Sequence, residues 1–198
     1  QDWPASRPTM AAGAASQSDQ PVRLASQSGR SVCRPDHAVE SGWSGHRDQP
    51  GLVGGDELRI ELDLGPDSRS LITSVAAQKV YGSVGRSRLH PDGAWTQQSV
   101  TCRLEDTSDL EWLPQELVLY ADALFQQTLT VSLPDNASFL SAEIVRLGRT
   151  AAGEQLDRGR WRSCLEIQRE GAHQPRWELV DRLALRDTRL NDPHGLGG

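Results

Sequence analysis

Leu58-Arg59-Ile60-Glu61-Leu62-Asp63-Leu64 decides the fold class. Apolar and charged side chains alternate without a break, which is the period of a strand with one buried face. Gly65-Pro66-Asp67 then supplies turn chemistry. The same pattern continues downstream. Residues 70–77 read as the next strand, and His90-Pro91-Asp92-Gly93 as a turn. Residues 100–104 alternate and are closed by Glu105-Asp106-Thr107-Ser108-Asp109. Residues 117–120 form a short apolar run, and 128–133 alternate before Pro134-Asp135-Asn136. Residues 165–169 and 177–180 read as two more strands. Short strands at near-regular spacing predict a mainly β chain: a sandwich, a barrel or a solenoid. Residues 137–148 fit strand or helix equally, and no internal repeat stands out.

Leu110-Glu111-Trp112-Leu113-Pro114-Gln115-Glu116 interrupts this regularity. Proline lacks a ladder donor, so it belongs at an edge, a strand start or a bulge. Two carboxylates beside it are expensive to bury unless paired.

Residues 1–50 differ in kind. Their only large aliphatic residues are Val22, Leu24, Val32 and Val39, among Ser, Ala, Gln, Arg, Gly and Pro. Such a segment buries too little apolar surface to offset its ordering entropy. It is expected to be disordered, or to be the product of a frame error. Its five arginines balance Asp2, Asp19, Asp36, Glu40 and Asp48, so the net charge of −6 belongs to residues 51–198. An acidic balance argues against a nucleic-acid binder, which carries a basic stripe. Cys33, Cys102 and Cys164 show no metal-ligand spacing and imply no disulfide framework. No apolar run of membrane-spanning length and no signal-peptide pattern occurs. A cytoplasmic protein with no membrane partner is the expectation.

Four blocks resemble, in order, the UreD (UreH) family of urease accessory proteins. Gly51-Leu52-Val53-Gly54-Gly55-Asp56 is similar to a GLVGGD segment that precedes a strand. Residues 73–81 resemble TTQAAxKVY, with Ser74 and Val75 departing from it. Residues 110–116 resemble LEWLPQE, followed by an apolar run and Ala123. Residues 143–149 with Gly153-Glu154 resemble EIxxLGRxAxGE. The resemblance covers residues 51–198. Residues 1–50 lack the family's Trp-containing opening strand and its PLxVQRPFYPEG-like segment. Family chains also continue past the closing Gly195-Leu196-Gly197-Gly198. The resemblance thus implies a UreD-like β domain over 51–198 that is cut at its C-terminus.

For the fold, the resemblance implies two stacked sheets in a β-helix-like scaffold with few helices. For function, it implies a scaffold in urease maturation. That scaffold binds apo-urease and UreF, which recruits the GTPase UreG, and nickel passes through its interior. No cofactor is held stably; nickel(II) is transient cargo. The resemblance implies Glu61, Glu116, Glu143 and Glu154 as contacts for nickel, and Glu61 and Glu154 are expected to face the interior route. Nickel accepts oxygen ligands, and isolated carboxylates bind it weakly enough to release it. Set against this, most Asp and Glu simply sit in solvated strand faces and turns. Gly51–Asp56 lacks a Gly-Lys-Ser/Thr ending, so it reads as a tight turn capped by Asp56 rather than a phosphate loop. No nucleophile motif and no carboxylate pair of defined separation appears, so the chain is not expected to be an enzyme. The alternative is an all-β module that binds a carbohydrate or protein ligand, which exposed Trp side chains would favour.

Overall fold

The structure is a computed structural model. It describes residues 51–156, 158–170 and 174–186, together with the backbone of three short strands nearer the N-terminus. Those are β1 (Arg23–Ser26), β2 (Gly29–Val32) and β3 (Val39–Glu40). The remaining strands are β4 (Glu57–Leu64), β5 (Arg69–Thr73), β6 (Gln78–Val80), β7 (Thr96–Leu104), β8 (Asp109–Trp112) and β9 (Leu117–Leu119). They continue with β10 (Leu124–Pro134), β11 (Ser138–Ser141), β12 (Val145–Leu147), β13 (Arg160–Glu170) and β14 (Arg176–Arg186). The expectation for residues 1–50 falls mostly outside the described residues.

The chain winds as a coil of parallel rungs. Each rung lays down a long strand, turns, adds a short strand, bends, and adds a shorter one. Stacked rungs give a first sheet ordered β14-β13-β10-β7-β4-β1-β2, a second ordered β11-β8-β5-β3, and a third ordered β12-β9-β6. Pairing is parallel through β4, β7, β10 and β13, and throughout the second and third sheets. The remaining three pairings of the first sheet, β1–β2, β1–β4 and β13–β14, are antiparallel. The mainly β expectation is met, and the described strands divide among three sheets. The segment 137–148, ambiguous in sequence, holds β11 and β12. Among the described residues the helical content is one 3-10 turn, Thr150–Ala152.

Alternation sets which face is buried. Leu62 and Leu64 on β4 are buried, Leu58 and Ile60 are half-buried, and Arg59 and Glu61 are exposed. In the ladder Leu62 pairs with Cys102, and Cys102 with Val131, so like residues stack from rung to rung. Two apolar cores result. One lies between the first and second sheets, around Leu62, Leu64, Ile72, Cys102, Leu110, Val131 and Leu133. The other lies between the first and third sheets, around Val80, Leu119, Phe125, Leu156 and Trp161. At roughly 25 cal/mol per Å², each fully buried Leu or Phe contributes about 1.5–3 kcal/mol.

The turns from first to second sheet repeat a small device. Asp67 and Thr107 both take positive φ, at 57° and 56°. The following Ser68 and Ser108 hydroxyls each donate at 2.6 Å to the carbonyl three residues back, Gly65 and Glu105. The Thr107 hydroxyl donates to the Asp67 carboxylate in the rung alongside. Pro114 sits at the bend between β8 and β9, where its missing donor costs nothing. The adjacent Gln115 N–H donates to the Ser74 hydroxyl at 2.9 Å. Asp56 closes the turn before β4 by accepting the Val53 N–H at 2.8 Å.

Candidate functional site

The two cores are separated by a polar row. On the inner face of the first sheet, Thr96, Phe125, Trp161 and Leu185 form one ladder row, and Ile60, Val100, Leu129 and Leu165 form another. Between them lie Gln98, Gln127 and Ser163, in register across β7, β10 and β13. This row faces the corner where the second sheet bends into the third. Gln78, at the start of β6, donates to Gln98 Oε1 at 2.5 Å. Gln127 Nε2 donates to Glu143 at 2.6 Å and to the Ser163 hydroxyl at 3.1 Å. The result is a seam of amide, carboxylate and hydroxyl groups running along the stack between two apolar walls.

Gln127 is the buried centre of this seam, 8% exposed. Its Oε1 is buried and accepts no hydrogen bond. Such an orphan acceptor costs about 1–3 kcal/mol unless something else serves it, and it marks a place where a polar species fits. Glu143 reaches in from the surface. The residue is exposed overall, while its carboxyl is desolvated against the protein body. That desolvation holds its pKa above the ordinary carboxylate value, against the lowering effect of the Gln127 hydrogen bond. The donor set is oxygen-rich and nearly uncharged. It suits water or a weakly held hard-to-borderline cation, and it lacks the thiolate and imidazole that would trap one.

The other three sequence-selected carboxylates lie elsewhere. Glu61 is exposed on the outer face of β4, which corrects the expectation that it faces inward: its parity opposes that of Leu62. Glu116, at the bend before β9, pairs with Arg146 at 3.1 Å in a solvent-exposed bridge. Glu154 also departs from the interior route. It forks with Arg149 at the surface, and that hydrogen bond holds its carboxyl below the usual range. Among the described residues no three of His, Cys, Asp and Glu converge where a metal ion could be held. Sequence reasoning missed Gln78, Gln98 and Gln127. The available signal was phase: Gln98 and Gln127 keep step with the buried residues of their strands.

A second polar feature lies beside the third sheet. Tyr81, Gly82, Arg86, Tyr120, Ala121, Arg149 and Glu154 line a pocket of about 250 Å³. The Tyr81 and Tyr120 rings meet edge to face at 4.9 Å, and the Arg149 guanidinium lies 5.0 Å from the Tyr120 ring centre. No described helix is long and apolar enough to cross a membrane.

Comparison with known proteins agrees with the blocks read in the sequence. The sequence model of the family described as UreD urease accessory protein matches residues 48–198. A urease accessory protein UreD from Parasynechococcus marenigrum (strain WH8102) is 96% identical over 148 residues, covering 75% of this chain and 48% of that protein. One from Synechococcus sp. (strain WH7805) is 66% identical over 167 residues, covering 80% of this chain and 52% of that protein. One from Prochlorococcus marinus (strain MIT 9313) is 57% identical over 147 residues, covering 74% and 46%. The chain therefore spans about half the length of the curated relatives it matches. With the family model matched over most of its length, the chain belongs to the UreD family of urease accessory proteins.

Proposed function

We propose that this chain is part of a non-catalytic urease maturation factor, and that its polar seam is a stretch of the route by which nickel reaches apo-urease. The observation that carries this reading is the buried, unpartnered Oε1 of Gln127, set beside the raised carboxyl of Glu143. A cation in transit needs oxygen donors that replace part of its hydration shell without closing around it. Gln78, Gln98, Gln127 and Ser163 offer neutral oxygens in sequence along the stack. Glu143 adds one carboxylate at the edge of the seam, hydrogen-bonded to Gln127. Of the four carboxylates the sequence singled out, we assign the route to Glu143 and take Glu61, on the outer face, as the comparison position.

The partners belong to the same proposal. Apo-urease receives the metal, UreF docks beside the scaffold, and UreG acts through UreF, all in the cytoplasm. The binding-module alternative asked for exposed Trp residues. Trp161 is buried, Trp112 packs on the first core, Trp95 is capped by Arg162 at 4.5 Å, and Trp177 is exposed. Among the described residues, that distribution favours a scaffold over a ligand-stacking surface.

The test co-expresses the chain with urease and the other accessory proteins, then measures nickel bound to purified urease. Gln127→Leu and Glu143→Ala should lower nickel occupancy several-fold, while Glu61→Gln should match wild type. Equal nickel in all four samples would remove the seam from the route. Wild-type chain that adds no nickel over a strain lacking it would remove the maturation role.

A further inference from the structure

The pocket beside the third sheet has a charge pattern that the nickel route does not use. It gathers residues from three separate sequence blocks: Tyr81, Tyr120, and Arg149 with Glu154. The Arg149–Glu154 fork is closed on itself. Nε donates to Oε2 at 2.8 Å, the second nitrogen reaches Oε1, and the Glu154 N–H returns to the Arg149 carbonyl at 3.1 Å. Nearby Arg158 is likewise held by the Asp122 carboxylate, at 3.0 and 2.9 Å. Arg86 differs from both. It lines the pocket, is exposed, and makes no ion pair or side-chain hydrogen bond among the described residues.

Charge and size then define what fits. The lining holds two guanidinium groups and one carboxylate, a surplus of one positive charge on a chain of net charge −6. The field of Arg86 reaches both Glu154 and Asp122 and helps lower their carboxyls. One free planar guanidinium matches one carboxylate, which it holds through two parallel hydrogen bonds. A phosphate dianion would leave negative charge in excess beside Glu154. A cavity near 250 Å³ holds roughly eight waters at about 30 Å³ each, which suits an acidic side chain. Gly82 and Ala121 complete the lining, and a Cβ at Gly82 would lie 2.2 Å from the Ala121 carbonyl oxygen, so glycine is required at that position.

We propose that this pocket is a carboxylate-binding site in which Arg86 pairs with an acid the size of a glutamate side chain. The Arg149–Glu154 fork and the Tyr81–Tyr120 contact form its fixed wall. The proposal stands apart from the nickel route and does not depend on it.

The chain contains two tyrosines, Tyr81 and Tyr120, and both line this pocket. Ring-labelled tyrosine therefore reports on the pocket alone in an NMR titration. The probes are propionate as a free acid, N-acetylglutamate amide as a chain-borne one, its glutamine counterpart as the neutral control, and inorganic phosphate. Saturable shifts of both ring signals are expected with the two carboxylates and not with the glutamine compound. Tighter binding of the capped glutamate than of propionate identifies a polypeptide source, and the reverse order a free metabolite. Arg86→Gln should weaken binding at least tenfold, and Arg103→Gln, on the outer face of β7, should leave it unchanged. Unmoved tyrosine signals, a shift that survives Arg86→Gln, or tighter binding of phosphate would each overturn the proposal. An Arg86→Gln chain that loses its native tyrosine spectrum would also overturn it, because Arg86 is open to a ligand only if it holds no structural contact.

Discussion

Gly148 and Gly153 bracket the loop that carries Arg149 to Glu154, and they offer a controlled comparison. Both take positive φ, at 75° and 71°. An alanine at either position pays the left-handed strain of about 1–2 kcal/mol. Their surroundings differ. A Cβ at Gly153 meets nothing within 4 Å, while one at Gly148 lies 2.4 Å from the Glu154 carbonyl oxygen and 2.6 Å from the Gln155 Cα. Those neighbours are backbone and cannot swing aside. The Gly148 N–H is also pinned to the Leu119 carbonyl at 2.6 Å, so the residue itself cannot retreat. Overpacking of this kind adds about 1–3 kcal/mol. Gly153→Ala should therefore lose about 1–2 kcal/mol, and Gly148→Ala about 2–5 kcal/mol in all. Urea unfolding of the two variants beside wild type measures the gap. Equal losses would show that the loop does not close against residue 148, and the wall of the carboxylate pocket would lose its basis.

Phe125→Ala, at a fully buried position in the second core, should cost about 3–5 kcal/mol in the same assay. Leu89→Ala, at a position 86% exposed, should stay within about 0.5 kcal/mol. Glu143 has a folded pKa above its ordinary value, so its stabilising contribution is complete below the unfolded pKa and is lost as pH rises through the folded one. Glu143→Gln should remove that loss, leaving the variant at least as stable as wild type at pH 7; a less stable variant contradicts the assignment. Asp122 has the opposite sign. Its hydrogen bond from Arg158 lowers the carboxyl, so stability falls as pH drops through the lowered pKa, and Asp122→Asn should flatten that acid limb. The Cys102 thiol is pushed up to about 12 by burial, with Asp63 adding to the effect, so alkylation at pH 8 should label it only after unfolding.

The strands were legible because their alternation is local. Leu58 to Leu64 shows its buried face directly, and β7, β10 and β13 appear as shorter versions of the same pattern. The coil was not legible, because its period is uneven. The turns at 65–68, 105–108 and 134–137 occupy equivalent corners, as the pairing of Arg69 with Asp109 and of Asp109 with Ser138 establishes. Residues 81–95 lengthen the first passage between rungs, whereas 120–123 suffice for the second, so no fixed spacing marks the repeat. For the site, phase is a better guide than charge. Glu61 is out of phase with Leu62 and Leu64, which was readable from the start. Gln98 and Gln127 are in phase with buried neighbours, although an uncharged amide carries no charge signal. What brings Gln78 and Glu143 to them is the bend between sheets, a long-range event that no local pattern encodes.

The reversal at β14 has a consequence for assembly. A coil of parallel rungs has no intrinsic length: each new turn of chain finds the same template as the last, and a second molecule could continue the winding as a filament. Here β14 runs back against β13 through a bulge near Ile167 and Gln168, and β1 runs back against β4 on the other side. A rung arriving at β14 meets a strand of the wrong polarity for the screw to go on, whereas the far edge, β2, runs back against β1 and so regains the polarity of the rungs. The direction of β14 thus blocks, at that edge of the first sheet, a geometry otherwise suited to endless growth.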